Sequence, residues 1–194
     1  MRVIAGLYRG RALRAPKGEH TRPTTDRVRE SLFSALVSQL GPELAAGAVL
    51  DAFAGSGAMG IEALSRGCCT AVFVENDRAA VRVLRDNLES LGAQSKALIV
   101  EGDVLSLAER RALPGGPFSL LLLDPPYRLA WVEIEVLTSA LARSGLLDDG
   151  AVIVYEHASG SPAEWPSGFD LITQKKYGST GIDIVVYKRG VGSS

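Results

Sequence analysis

The chain is poor in the residues that build metal or disulfide chemistry: of 194 residues, two are cysteine and two histidine. Cys68 and Cys69 are adjacent, a spacing that forms neither a metal clamp nor a disulfide framework. A reducing, cytoplasmic setting is therefore expected, with no metal. His20 and His157 have no partners at metal-ligand spacing and read as solvated loop residues. No apolar run approaches the ~20 residues that cross a bilayer. The opening Met-Arg-Val-Ile-Ala-Gly is unlike a secretory signal. Internal repeats are absent. What remains is an ordinary globular composition, 46% hydrophobic and 22% charged. Its length suits one domain with a modest extension, expected to be a monomer.

The net charge of −1 conceals an asymmetry. Residues 1–30 hold eight basic side chains (Arg2, Arg9, Arg11, Arg14, Lys17, Arg22, Arg27, Arg29) against three acidic ones (Glu19, Asp26, Glu30), so the rest of the chain carries −6. A basic head on a mildly acidic body suits a face that meets a polyanion, and equally a solvated arginine-rich surface.

Short β-prone pieces at Arg2–Leu7 and Arg11–Arg14, around Tyr8-Arg9-Gly10, predict a small basic hairpin. Apolar residues at Val28, Leu32, Ala35, Leu36 and Leu40 predict a helix that begins near Asp26 and stops at Gly41-Pro42. From Gly47 strands and helices alternate. Strands are expected at Ala48–Ala52, Thr70–Glu75, Ala97–Glu101, Phe118–Asp124 and Ala151–Glu156, and helices at Ala58–Ser65, Arg78–Leu91 and Trp131–Arg143. Phe169–Tyr177 and Gly181–Lys188 predict a closing hairpin, and Gly190–Ser194 a frayed end. This order requires an α/β fold with a mostly parallel sheet, right-handed crossovers and a C-terminal antiparallel hairpin. The expected division is a basic hairpin-and-helix extension at 1–41, the main domain at 42–190 and a tail at 191–194. Ligands of such sheets bind beyond the C-terminal strand ends.

Asp51-Ala52-Phe53-Ala54-Gly55-Ser56-Gly57-Ala58-Met59-Gly60 carries Gly-x-Gly-x-x-Gly between a strand and a helix. Glycines there let the backbone turn tightly and approach a ligand closely, and the pattern also fits a dinucleotide site. Asp51 argues against a pyrophosphate, which it would repel, and for a cationic ammonium group such as the methionine end of S-adenosylmethionine. Glu75 follows the second strand, where it suits ribose hydroxyls. Asp103 follows the third, where it suits an adenine amino group. Each acid alone is equally consistent with a strand end or a helix cap.

Asp124-Pro125-Pro126-Tyr127 is the most specific feature. Two prolines fix φ and withdraw two N–H donors, leaving a stiff backbone of carbonyl acceptors. Asp124 adds an anionic acceptor and Tyr127 a flat face. A nucleobase amino group needs this set: its N–H bonds accepted and its ring stacked while the nitrogen meets an electrophile.

Taken together, Asp51–Gly60, Asp124–Tyr127 and the block Arg22-Pro23-Thr24-Thr25-Asp26-Arg27-Val28-Arg29-Glu30-Ser31-Leu32-Phe33 resemble the RsmD-type methyltransferases, as do Arg9-Gly10-Arg11 and Lys176-Tyr177-Gly178. The resemblance implies a Rossmann-like class I methyltransferase that moves a methyl group from S-adenosylmethionine to the N2 amino group of a guanine. The guanine would lie in small-subunit (16S) rRNA, either free or within an assembling subunit. It implies cofactor contacts at Asp51, Phe53, Gly55, Ser56, Gly57, Glu75, Asn76, Asp103, Val104 and Asp124, with Arg22 and Thr24 in a lid. It implies Asp124, Pro125, Pro126 and Tyr127 as the catalytic target-base clamp, and Arg9, Arg11, Arg14, Arg22 and Arg27 as RNA contacts. Ala52 and Met59 depart from the family pattern as packing changes. An adenine-N6 DNA methyltransferase would share the clamp, a nicotinamide-dependent oxidoreductase the glycine turn, and a non-catalytic RNA-binding module the basic head.

Overall fold

A computed structural model describes residues 1–16, 26–40, 47–126, 128–160 and 163–190. Its elements are α1 (Asp26–Leu40), β1 (Ala48–Asp51), α2 (Ala58–Ser65), β2 (Thr70–Glu75), α3 (Arg78–Leu91), β3 (Ala97–Glu101), α4 (Val104–Glu109), β4 (Phe118–Leu123), α5 (Trp131–Arg143), β5 (Leu147–Ala158), β6 (Phe169–Tyr177) and β7 (Thr180–Tyr187). The seven strands form one sheet in the order β3-β2-β1-β4-β5-β7-β6. The first five run parallel, and β7 is antiparallel to both β5 and β6. Successive strands step outward from β1 to β3, and the chain then returns to lay β4 on the other side of β1. That reversal opens a crevice between β1 and β4 at their C-terminal ends, where open α/β sheets bind ligands.

Helices cover both faces of the central strands, so these are almost wholly apolar, as in Phe118-Ser119-Leu120-Leu121-Leu122-Leu123. One face packs Leu32, Leu36, Ile61, Leu64, Leu84 and Leu88 on Val49, Phe73, Leu120 and Leu122. The other packs Val104, Ile134, Leu137 and Leu141 on Leu50, Val72, Leu121 and Ile153. α3 shows how sequence sets an element: Ala80, Val81, Leu84, Leu88 and Leu91 recur at helical spacing and are buried. The Asp77 side chain accepts the Ala80 N–H at 2.7 Å to start the helix, and Gly92 at φ +67° ends it.

The expected α/β sheet and closing hairpin are present, with local differences. β5 runs from Leu147 to Ala158 because β7 extends its pairing to Ala158 and Leu147 joins Phe118 across a bulge. The polar Asp148-Asp149-Gly150 within it masks that strand in the sequence. α4 was not expected. His157 is not a loop residue: it lies in β5 and is 6% exposed. The N-terminal hairpin is an antiparallel arm with a single bridge, Arg2 to Ala12, held by the Val3 N–H on Arg11 and the Leu13 N–H on Met1, each at 3.0 Å. The expected lid residues Arg22 and Thr24, the clamp's Tyr127 and the tail lie outside the described residues.

Candidate active site

Asp51 ends β1 and is 1% exposed. Its Oδ2 accepts the Gly60 N–H at 2.8 Å, which ties the strand end to the first turn of α2. Burial pushes its carboxyl up to about 7, the Gly60 bond opposes that rise, and the nearby Glu75 charge adds to it. A buried carboxylate in this state gains most from a cation brought beside it.

The glycines between β1 and α2 have different duties. Gly57 takes φ +80°, and a Cβ there would lie 2.3 Å from Leu84 Cδ1, so α3 seals the turn from below. Gly55 takes φ +53°, and a Cβ there would meet nothing within 4 Å. The turn is packed on its inner side and open on the outer. Phe53 is partly buried against the second core, and Ser56 is buried, its hydroxyl 3.7 Å from the Met1 sulfur.

Glu75 ends β2 and braces this turn. One carboxylate oxygen accepts the Gly55 N–H at 2.7 Å and the other the Asp77 N–H at 2.8 Å. Each oxygen has a second lone pair with which to accept a hydroxyl. Asn76 beside it is exposed. Asp103 is exposed and caps α4, accepting the Ser106 N–H at 2.8 Å. Val104 is buried, so only its backbone can serve a ligand. Backbone bonds from Ala54 to Val74 and from Gly102 to Glu75 knit the ends of β1, β2 and β3 together.

Asp124 follows β4, which pairs with β1 through Asp51 and Leu122, and the Ala52 N–H donates to Leu122 at 3.0 Å. The clamp therefore leaves the sheet one strand spacing, about 5 Å, from the glycine turn. Asp124 is half-buried, Pro125 buried and Pro126 exposed. The Pro126 carbonyl accepts the Leu129 N–H at 2.9 Å, closing the segment into a turn before α5.

The basic residues separate. Arg14 lies beside α3: its N–H donates to Asn87 at 2.8 Å and its guanidinium pairs with Asp86 at 2.9 Å. Arg11 donates to the Ser90 carbonyl in the last turn of α3, and the neighbouring Tyr8 N–H to Ser65 at the end of α2. The exposed Arg9, next to Tyr8, thus sits toward the far end of α2 from the glycine turn, about 11 Å along that helix, whereas Arg11 meets α3 three residues past Asn87. Arg27 is exposed on the first turn of α1. Arg29, counted in the basic head, is 1% exposed and lies between Asp26 and Glu62, so it faces no polyanion.

Two organising residues escaped the sequence reading. Asn87, 1% exposed, donates to the Ser56 carbonyl at 2.9 Å and to Arg14 at 3.0 Å, tying the arm to the glycine turn. Glu62, fully buried, accepts the N–H groups of Ile4 and Ala5 at 2.8 and 3.1 Å and the Arg66 guanidinium at 2.6 Å. An acid inside the otherwise apolar α2 was the one available signal for Glu62. Asn87, a polar residue three after Leu84 and four before Leu91, interrupts the apolar stripe of α3, and that was its signal.

The sequence and the fold recur in known proteins. The model of the family described as conserved hypothetical protein 95 matches residues 1–186. Ribosomal RNA small subunit methyltransferase D of Escherichia coli K12 is 38% identical over 170 residues, 85% of this chain and 81% of that protein. A solved E. coli structure, provisionally named methyltransferase yhhF, superposes with a TM-score of 0.83 at 34% identity, over 97% of this chain and 98% of that one. An RNA methyltransferase of Salinibacter ruber, solved with S-adenosyl-L-homocysteine, shares the fold at 16% identity and a TM-score of 0.61, covering 89% and 97% of the two chains. The chain belongs to the RsmD family and is a class I methyltransferase that uses S-adenosylmethionine.

Proposed function

We propose that this enzyme methylates the exocyclic N2 amino group of a guanine in 16S rRNA, in the cytoplasm. The observation that carries the reading is the seating of Asp124-Pro125-Pro126 one strand from the turn that follows Asp51. S-adenosylmethionine supplies the electrophilic methyl group on its sulfonium. The residues present fit that molecule: buried Asp51 offers a negative partner for its ammonium, the open side of Gly55 leaves room beside the turn, Glu75 keeps acceptor capacity for ribose hydroxyls, and Asp103 stands at the next strand end for adenine. A pyrophosphate would meet three carboxylates there, which counts against a nicotinamide dinucleotide.

Asp124 accepts one amino hydrogen of the target base and a proline carbonyl can accept the other. The pair orients the nitrogen, and Asp124 receives its proton as the new bond forms. Alignment of two reactants accounts for the larger share, on the order of 7–11 kcal/mol in well-oriented systems. Guanine in a loop is easily exposed, which lowers the few kcal/mol that extrusion of a stacked base requires. Exposed Arg27, and Arg14 on exchanging its Asp86 partner, would meet phosphates, which position RNA without reading its sequence. The name of the E. coli relative supports a small-subunit rRNA substrate.

The test is methyl transfer from labelled cofactor to 16S rRNA and to unmodified small subunits, with product digestion to nucleosides. N2-methylguanine is expected; N6-methyladenine would assign the clamp to adenine instead. Asp124→Ala is expected to lower turnover by a factor of ~10²–10⁴ while cofactor affinity stays within a few-fold. Normal turnover in that variant would refute the chemistry.

A further inference from the structure

Beside the clamp lies a group of aromatic side chains that the methyl-transfer reading leaves unused. Trp131 opens α5 directly after the clamp segment, with its ring 5.5 Å from Tyr155 and 4.8 Å from Trp165, edge to face with the latter. Tyr155 pairs in register with Leu123, the residue before Asp124, so the group stands level with the clamp on the adjoining strand. Tyr155 is buried, whereas both tryptophans keep part of their surface in solvent.

Trp165 comes from the connection between β5 and β6 and is held by a polar device. Asp183, fully buried in β7, accepts the Trp165 indole N–H at 3.2 Å and the Gln174 amide at 2.8 Å, with His157 Nε2 at 3.3 Å. His157 in turn stacks on Tyr155 with centroids 5.0 Å apart. A carboxylate buried in a strand is costly unless such donors surround it. Polar side chains from three segments converge on this one and fix where the Trp165 ring stands. With its only N–H so engaged and its inner side packed near Tyr155 and Phe169, the part of the indole that remains in solvent is an aromatic surface with no hydrogen-bond code. The exposed Arg128 stands in the chain between the clamp and Trp131, three residues before it.

We infer that Trp131 and Trp165 form a second stacking wall, which takes a nucleobase next to the target guanine in the RNA, with Asp183 as the positioning residue for Trp165. The inference rests on the RNA substrate proposed above. It assigns the wall a sequence-tolerant contribution to RNA binding, because every base has a face to stack. Arg128 would meet the adjoining phosphate and contribute to salt dependence.

The test exploits composition: these two are the only tryptophans in the chain, so intrinsic tryptophan emission reports on this wall alone. A short guanine-containing single-stranded RNA is titrated into the full-length enzyme, with binding followed independently by anisotropy of a labelled copy. Quenching of the tryptophan emission with the same Kd is expected. Trp165→Leu should raise the KM for RNA about 5- to 150-fold, the range of one lost base–aromatic stack. Its kcat at saturating RNA and its affinity for S-adenosylhomocysteine should remain within a few-fold. Trp165→Phe, which keeps an aromatic face, should recover most of the loss. RNA binding without any change in emission, or a wild-type KM in Trp165→Leu, would overturn the wall while leaving methyl transfer to rRNA intact. Failure of the wild-type enzyme to bind or methylate rRNA would overturn both readings. The quenching measurement needs no variant, so it decides even if Trp165→Leu folds poorly.

Discussion

Raising the pH should tighten cofactor binding, because Asp51 must lose a proton to meet a cation. Its carboxyl titrates at about 7, pushed there first by burial and further by the charge of Glu75, against the Gly60 hydrogen bond. If the ammonium binds only the ionised form, the competent fraction rises from about one tenth at pH 6 to about nine tenths at pH 8, a tenfold gain in affinity or ~1.4 kcal/mol. The assay is calorimetry of S-adenosylhomocysteine in two buffers of different ionisation enthalpy. Close to one proton should leave per ligand at the acid end and almost none at the alkaline end. Asp51→Asn should bind more weakly and lose that slope. The sign for stability is opposite. Between the ordinary carboxylate value of 3.8 and about 7, the folded chain holds a proton that the unfolded chain has released. The unliganded protein therefore loses stability as pH rises through that window, and Asp51→Asn should be the more stable form above it. Equal affinity at both ends of the pH range in the native enzyme, or the same slope in Asp51→Asn, would refute the pairing of Asp51 with a cation.

Three further outcomes follow from the packing. Glu62→Leu leaves the buried Arg29 with Asp26 alone, takes the close partner from Arg66 and unpairs the Ile4 and Ala5 N–H groups; urea unfolding should register a loss of about 3–5 kcal/mol, the usual result of breaking a buried pair. Asn87→Ala removes the bonds to Ser56 and Arg14 and should both lower stability by about 1–3 kcal/mol and weaken S-adenosylhomocysteine binding; unchanged cofactor affinity would show that the arm and the turn are independent. Gly57→Ala drives a methyl group into Leu84 and should unfold more readily than Gly55→Ala, which meets open space and should fold yet bind cofactor poorly; thermal melts and calorimetry on the pair would expose any reversal of that order.

The periodicity of the chain located most of the architecture. α2, β2, α3, β3 and α5 begin and end where apolar spacing, glycines and caps place them, because each of these signals is local. α4 was missed because its six residues complete fewer than two turns and so show little period. The start of β5 was missed because its pairing, and not its composition, makes it a strand. His157 looked like a loop residue for the same reason: its burial depends on Asp183, far along the chain, to take up its ring nitrogen.

By itself the sequence determined the alternating α/β order, the glycine turn after β1 and the stiff Asp-Pro-Pro segment, since turn chemistry and hydrophobic period are properties of neighbouring residues. Only the tertiary structure decided that β4 lies against β1 and so brings the two motifs to one crevice. It also turned Arg29 inward and set Arg9 toward the far end of α2. Those outcomes depend on which surfaces exclude water together and on which buried charges find partners, and both are settled between segments distant in the chain.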